Sequence, residues 1–235
     1  LKKTQNIDVL IKQHSNNSDE NTTRLWLIFM DEIGLVKSII KSIKNIEEEC
    51  IIIKPDKEFK KIDKNNYSIN INNKDDYNLL IAELVSTGRT PNRVLHLLNV
   101  DNNTDDTNLE SCIDAEYRAY YSPLFLEQAF IDNNAMNDLN ILFVANGVLD
   151  VIGENVLSPL KSLAIGPSRC ISREFKSISA KFVDIDAVLT NELELAQNLI
   201  SETNFRCDDT VIAYRKGNRW AETFDKTYYD KVPDS

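Results

Sequence analysis

The sequence predicts an α/β protein with a doubly wound, mostly parallel β-sheet that ends in a C-terminal hairpin. Short apolar runs of strand length alternate with longer segments whose apolar residues recur at helical spacing. The first of these runs, at 25–30, is apolar throughout, as expected for a strand buried on both faces. Near the end of the chain, two strand-like segments flank the turn sequence Lys216-Gly217-Asn218. Strands that alternate with helices in this way are typical of a doubly wound sheet.

The predicted elements begin with a β-α-β unit. A strand at 25–30 leads into a helix at 35–46, and a second strand at 50–53 ends before Pro55, which cannot donate to a sheet ladder. Such crossovers are almost always right-handed and join parallel strands. The later predicted elements are a helix at 75–86, a strand at 93–100, a helix at 109–133 with a kink or new start at Ser122-Pro123, a strand at 140–145, a helix at 158–173 bent or restarted at Gly166-Pro167, a strand at 180–186, a helix at 192–202 and hairpin strands at 210–214 and 219–224.

Composition and charge exclude several classes of protein. The 235 residues, 42% of them hydrophobic, can form the core of one large domain or two small ones. The longest apolar runs are strand-sized and no signal segment opens the sequence, so we expect a cytoplasmic protein with no membrane partner. The net charge of −10 disfavours nucleic acid, because phosphate binding needs a basic patch.

Metal binding is not expected. With only two histidines and no Cys-x-x-Cys pair, a zinc site is improbable, and free thiols fit a reducing cytoplasm. The four cysteines are Cys50, Cys112, Cys170 and Cys207. Asp184 and Asp186 lie two residues apart at a strand end and could imitate a metal pair, but such residues more often cap the loop after a strand.

The first β-α turn does not fit a dinucleotide. Its sequence is Asp31-Glu32-Ile33-Gly34, with a single glycine where the pyrophosphate would need several. Two carboxylates stand where the diphosphate would bind, and like charges at that range repel. We therefore predict no cofactor, and interpret Gly34 as a helix-start glycine.

The sequence also lacks a recognisable catalytic set. A short-chain reductase needs a serine and a tyrosine with a lysine four residues later, to protonate the carbonyl oxygen. Tyr117, Tyr120 and Tyr121 precede the fourth strand and none has such a lysine, so they are interpreted as core or helix-surface aromatics. His96 lies in the middle of an apolar strand and is interpreted as a core histidine with satisfied hydrogen bonds. No catalytic residue is predicted.

Six segments, in order, resemble the structural subdomain of the ketoreductase domain of modular polyketide synthases. The most specific is AIGPSRCISREFKSISAKFVDID at 164–186, whose Gly-Pro form is similar to trans-acyltransferase synthases. The hairpin VIAYRKGNRWAETF at 211–224 resembles the family's x-A-x-R-x-G-x-R-W pattern. The other four are LWLIFMDEIGLVKSIIKSI at 25–43, RVLHLLNVD at 93–101, SPLFLEQAF at 122–130 and NILFVANGVLDVIGEN at 140–155.

The resemblance implies a degenerate Rossmann-like subdomain at 25–235. Residues 1–24 would be a flexible N-terminal segment, with a loop at 15–23, or the remnant of a linker strand at Leu1-Lys2-Lys3. In a complete ketoreductase the hairpin precedes a glycine-rich NADPH loop and the catalytic Ser, Tyr and Lys. This chain stops at Ser235, so the resemblance assigns it no catalytic residue. It implies a non-catalytic structural subdomain, a pseudo-ketoreductase.

The partners implied are neighbouring domains of the same synthase: a catalytic ketoreductase half, a methyltransferase or an enoylreductase. We expect the contact near Trp220 and Phe224, although Trp220 could equally belong to the core of this half. One alternative is a small NADPH-dependent reductase, which would need a glycine-rich turn. Another is a docking module for an acyl carrier protein, which the acidic net charge disfavours because carrier proteins are themselves usually acidic.

Overall fold

A computed structural model describes residues 1–14, 24–102, 108–154, 158–186, 191–224 and 226. The predicted loop at 15–23 lies outside these ranges. The described strands are β1 (Lys2–Lys3), β2 (Leu25–Phe29), β3 (Glu49–Pro55), β4 (Lys60–Lys61), β5 (Asn66–Ile69), β6 (Arg93–Asn99), β7 (Leu139–Asn146), β8 (Ile178–Ile185), β9 (Val211–Arg215) and β10 (Asn218–Ala221). The α-helices are α1 (Ile7–His14), α2 (Leu35–Asn45), α3 (Lys74–Ser86), α4 (Leu109–Glu116), α5 (Ser122–Asp132), α6 (Ile165–Glu174) and α7 (Glu192–Asn204).

The strands form one sheet in the order β1-β10-β9-β8-β7-β6-β2-β3-β5-β4. All pairings from β9 to β5 along this order are parallel, and the outer strands on both sides are antiparallel. The chain builds outward from β2 in one direction and then, through β6, in the other. The predicted doubly wound sheet with its C-terminal hairpin is therefore confirmed, and its switch point lies between β2 and β6.

Two hydrophobic layers hold the helices on the sheet. Neighbouring residues of β2 point to opposite faces: Leu27 and Phe29 join the layer under α3, α5 and α6, whereas Trp26 and Ile28 join the layer under α2 and α7. Every residue of β6 and β7 is buried, because helices cover both faces of these central strands. Burial on both faces explains why the sequences of these two strands are mostly apolar.

Short polar strands form the two edges of the sheet. β4, within the lysine-rich stretch at 54–64, was not predicted, whereas β1 (Lys2–Lys3), at the opposite edge, lies where the sequence offered a remnant strand as one alternative. Each of these edge strands is a pair of exposed lysines. Short, charged edge strands oppose pairing with another chain, because they offer few hydrogen-bonding groups and a repulsive charge. Both edges of the sheet are thus protected.

The long helix predicted at 109–133 has three parts. A π-helical turn at Tyr117–Tyr121 separates α4 from α5, which is assigned from Ser122. Tyr121 and Ser122 keep right-handed helical dihedrals and Tyr121 provides no side-chain cap, so the chain stays helical across Ser122-Pro123 and the predicted fresh N-cap is not observed. The segment at 158–173 divides likewise, into a 3-10 helix at Pro159–Ala164 and α6, with Gly166-Pro167 in the first turn of α6.

The hairpin is shorter than predicted. Its second strand, β10, ends at Ala221, so Phe224 lies beyond the sheet. The turn residues Lys216 and Gly217 both have positive φ, at 50° and 73°, as a tight two-residue hairpin turn requires.

His96 lies in the core of the sheet. It is fully buried in β6, its Nε2 is 2.8 Å from Ser122 Oγ, and the Tyr77 hydroxyl is 2.5 Å from the same oxygen. The rings of Phe29 and Phe143 pack against it at 5.2 and 5.4 Å. The core interpretation holds, but within the described structure Nδ1 has no hydrogen-bond partner. Burial lowers the pKa of His96 from 6.5 to about 3, so the ring is neutral.

The depressed pKa of His96 makes folding depend on pH. Between about pH 6.5 and 3 the unfolded chain binds a proton at His96 that the folded chain does not. Stability is therefore full above pH 6.5 and falls with acidification, by up to about 1.4 kcal/mol per pH unit. In urea unfolding, lowering the pH from about 7 to 5.5 should cost the native chain about 1 kcal/mol more than His96→Gln. Parallel pH profiles for the two proteins would contradict this.

Candidate functional site

The candidate site is the crevice at the carboxyl ends of β2, β6 and β7. Doubly wound sheets bind their ligands there, at the switch point where the strand order reverses. Dinucleotides place their pyrophosphate on the free N–H groups at the start of the first helix. In this chain that helix is α2, and Gly34, with φ of 94°, forms its N-cap.

The free N–H groups of α2 already have an acceptor. The carboxylate of Asp31 receives hydrogen bonds from the N–H groups of Leu35 and Val36, each at 2.7 Å, and Asp31 is only 7% exposed. An anionic side chain therefore occupies the position of a bound phosphate, where the positive end of the helix dipole favours negative charge. The second carboxylate of the turn, Glu32, points outward and pairs with Arg118 at 3.0 Å.

A buried ion pair fills the crevice beside this turn. Lys161 Nζ lies 2.7 Å from Asp101 Oδ1 and 2.8 Å from Asn146 Oδ1. Asn146 in turn donates to the backbone carbonyl of Asp101 at 2.7 Å, and Arg118 approaches the other Asp101 oxygen at 3.4 Å. Lys161 and Asp101 are both almost fully buried. The carboxyl ends of β6 and β7 are thus joined by protein charges that satisfy one another.

Sequence reasoning missed Lys161. The residue reaches the crevice from the 3-10 helix at Pro159–Ala164, and its partner Asp101 is sixty residues away along the chain. The available signal was a lysine within the apolar stretch Ser158-Pro159-Leu160-Lys161-Ser162-Leu163-Ala164. The residue four before it, where a short-chain reductase carries its tyrosine, is Leu157, which has no hydroxyl. Leu157 lies outside the described residues.

A second buried ion pair joins the hairpin to β8. Asp184 accepts hydrogen bonds from the N–H groups of Val148 and Leu149, at 3.1 and 2.7 Å, and pairs with Arg215. Burial raises the pKa of Asp184, and the charge of Arg215 opposes that rise. The predicted capping role of this aspartate is correct, although the loop that it caps follows the neighbouring strand β7.

A third buried network surrounds Glu202, at the end of α7. Its carboxylate accepts hydrogen bonds from Arg219 Nε at 2.5 Å, Tyr214 at 2.9 Å and Lys181 at 3.2 Å. Burial alone would raise the pKa of Glu202, but Lys181 and Arg219 outweigh it and hold the pKa below its ordinary value. Arg215 and Arg219, the two arginines of the hairpin motif, are therefore structural.

The structure provides no metal centre among the residues that it describes, since no group of three His, Cys, Asp or Glu side chains converges. Asp186, the second member of the suspected pair, accepts a hydrogen bond from the Lys216 N–H at 2.9 Å. None of the described helices is long and apolar enough to cross a membrane.

The two predicted contact residues differ in exposure. Trp220 in β10 is half-buried, and within the described chain its Nε1 is buried without a hydrogen-bond partner. Phe224 is 87% exposed beyond the end of β10. Whether either side chain meets another domain stays a prediction.

Fold and site together define a Rossmann-like domain whose ligand crevice is occupied by its own side chains. A family model described as "Beta-ketoacyl synthase-like, N-terminal" matches residues 25–203. Because that match covers most of the sequence, the chain belongs to this family. A search of the curated proteins finds no match.

Solved ketoreductases share the fold. A "multidomain structure of a keto acid-selecting NRPS module" with adenylation, ketoreductase and pseudo Asub parts is 25% identical, with a TM-score of 0.77 over 87% of this chain and 17% of its own. An N-terminal ketoreductase from the macrolactin assembly line is 15% identical, with a TM-score of 0.70 over 90% and 42%. A C2-type ketoreductase from a modular polyketide synthase is 13% identical, with a TM-score of 0.56 over 88% and 40%.

The chain spans less than half the length of each of these structures. It has the fold of these ketoreductase structures, and the resemblance to the ketoreductase family seen in the sequence is confirmed.

Removing the Asp31 carboxylate should destabilise the fold. Asp31→Ala leaves two N–H groups of a buried helix end without an acceptor and should cost about 2 kcal/mol in urea unfolding. Asp31→Asn keeps one acceptor oxygen and should cost about half as much. Glu32→Ala, in the same turn but exposed, should change stability by less than about 0.5 kcal/mol. Equal effects at positions 31 and 32 would contradict the assigned role.

The Lys161–Asp101 pair should behave as a unit. Lys161→Met removes the cation at 2.7 Å from the buried Asp101 carboxylate and should cost about 3 kcal/mol. Adding Asp101→Asn removes the stranded charge and should restore part of that loss, so the double variant is more stable than the two single effects predict. Strictly additive free energies of unfolding would show that the two charges do not interact.

Proposed function

We propose that this chain is a non-catalytic structural subdomain, a pseudo-ketoreductase, of a polyketide synthase module. It supports a catalytic ketoreductase half, or a neighbouring methyltransferase or enoylreductase domain, in polyketide biosynthesis. The observation that carries the proposal is the Asp31 carboxylate, which holds the Leu35 and Val36 N–H groups at 2.7 Å each. These are the donors that a nucleotide cofactor would need.

Electrostatics argues against NADPH in this crevice. A diphosphate at the start of α2 would face the Asp31 carboxylate at close range, with Glu32 in the same turn. Two like charges at about 4 Å near a protein surface repel by roughly 4 kcal/mol. To make room, Asp31 would have to leave its two hydrogen bonds, and the cofactor would have to repay their loss as well.

The described groups of the crevice do not fit a reductase either. Carbonyl reduction needs a proton donor beside the substrate oxygen. Lys161, the lysine at the carboxyl ends of β6 and β7, has its ammonium bound to Asp101 and Asn146, and the residue four before it in the sequence is Leu157 instead of a tyrosine. Residues of these types in this arrangement support stability rather than proton transfer.

The scaffold role extends over the predicted domain at 25–235, with 1–24 as the linker segment. Within that linker, Thr4 donates from its N–H to the Arg219 carbonyl at 3.0 Å, and Ile7 is fully buried, so the described part of the segment adheres to the hairpin side of the sheet. We propose Trp220 and Phe224 as contacts with the neighbouring domain. A cytoplasmic location and the absence of a cofactor belong to the same proposal.

A fluorescence titration with NADPH tests the proposal. The purified chain should show no saturable change up to about millimolar cofactor, since the phosphate donors of α2 are occupied. A cooperative thermal unfolding curve on the same sample establishes that the chain is folded, and an active short-chain reductase serves as the positive control. Saturable binding at micromolar NADPH would overturn the scaffold role and point to an active reductase.

A further inference from the structure

Helix α4 presents an apolar row to solvent. Leu109 is 76% exposed and Ile113 is 43% exposed, and the two lie one turn apart on the same side of the helix. Tyr120, in the π-helical turn that follows, is also exposed. We call the surface formed by Leu109, Ile113 and the carboxylates beside them the α4 surface.

Helix α4 keeps its apolar row away from the core. It is eight residues long, none of them is buried, and Asn108 caps it by accepting a hydrogen bond from the Ser111 N–H at 2.9 Å. At its other end Tyr117 keeps helical dihedrals, so α4 runs directly into the π-helical turn that holds it. Packing another surface on Leu109 and Ile113 would bury apolar area that this chain leaves exposed.

Charge around the row restricts what could pack there. Glu110 and Asp114, themselves one turn apart, border the row on one side, and Glu116 lies on the other side. All three carboxylates are exposed. The nearest cation in the sequence, Arg118, is engaged by Glu32 and Asp101. The α4 surface is therefore apolar in the middle and acidic at its margins.

This charge pattern decides between possible occupants. A second copy of the chain would bring the same acidic margin, and the net charge of −10, against itself. An acidic carrier protein meets the same repulsion. Addition of a strand at a sheet edge is opposed by the lysine pairs of β1 and β4. Resting on the proposed function, we infer that the α4 surface docks an amphipathic helix of a neighbouring synthase domain, with apolar residues flanked by Lys or Arg.

Two fluorescent helical peptides with the same leucine face test the inference. One carries lysines beside the leucines and the other carries glutamates at the same positions. In a fluorescence anisotropy titration of the whole chain, the lysine peptide should bind at least about tenfold more tightly than the glutamate peptide, because the margins of the surface are acidic. Equal affinities, or tighter binding of the glutamate peptide, would overturn the charge argument.

Variants locate the binding. Ile113→Ser should weaken the lysine peptide about tenfold by removing apolar contact area. The double variant Glu110→Gln/Asp114→Asn should reduce the difference in affinity between the lysine peptide and the glutamate peptide. Leu79→Ser, at an exposed leucine of α3, is the matched control and should leave binding unchanged. If the affinity for the lysine peptide is unchanged by Ile113→Ser, or is weakened equally by Leu79→Ser, the assignment of the surface is overturned.

Sedimentation of the chain alone tests the remaining possible occupant of the α4 surface, which is a second copy of the chain. We expect a monomer at all tested concentrations. A dimer that dissociates on Ile113→Ser would show that a second copy covers α4 and would overturn the inference. The NADPH titration is independent of this surface, so cofactor binding would refute the proposed function without changing the peptide result, and loss of peptide binding would leave the scaffold role intact.

Discussion

At the start of α2, the N–H groups of Leu35 and Val36 point at the carboxylate of Asp31 and not at open solvent. A helix end in this position must find an acceptor, because buried N–H groups without one are costly. In nucleotide-binding sheets the ligand provides it. Here the chain provides its own acceptor for the two N–H groups at the start of α2.

The same principle recurs along the carboxyl edge of the sheet and at the hairpin. Lys161 and Asp101 satisfy each other between β6 and β7, and Arg215 joins Asp184 below the loop after β7. Isolated buried charges are strongly destabilising, whereas paired and hydrogen-bonded ones fix a unique arrangement of the segments that carry them. In the proposed scaffold role, these pairs give the sheet the internal closure that a ligand provides in nucleotide-binding relatives of the fold.

The sequence was sufficient for the elements whose burial leaves an unbroken apolar run. The central strands and their helices could be predicted for that reason, as could the acidic character of the turn at Asp31. It was insufficient for β4 and β5, because strands of two to four residues are too short to show a periodic pattern, and it offered β1 only as one alternative.

The buried ion pairs could not be predicted from the sequence, for a different reason. Arg219 was recognised as part of a motif, but its partner Glu202 lies seventeen residues away, and Lys161 meets Asp101 only after the sheet has assembled. Pairings of this kind depend on topology, which local spacing does not specify. The exposed face of α4 is visible in the sequence as a helix, but its lack of buried residues emerges only from the packed structure.

Amide NMR of the folded chain during addition of NADP⁺ tests the central claim most directly, because it reports on the two donors themselves. The backbone amide resonances of Leu35 and Val36 should stay unchanged up to about millimolar NADP⁺, since the Asp31 carboxylate retains both hydrogen bonds. Saturable shifts of these two amides would show that the cofactor displaces the carboxylate, and the crevice would then have to be regarded as a working nucleotide site.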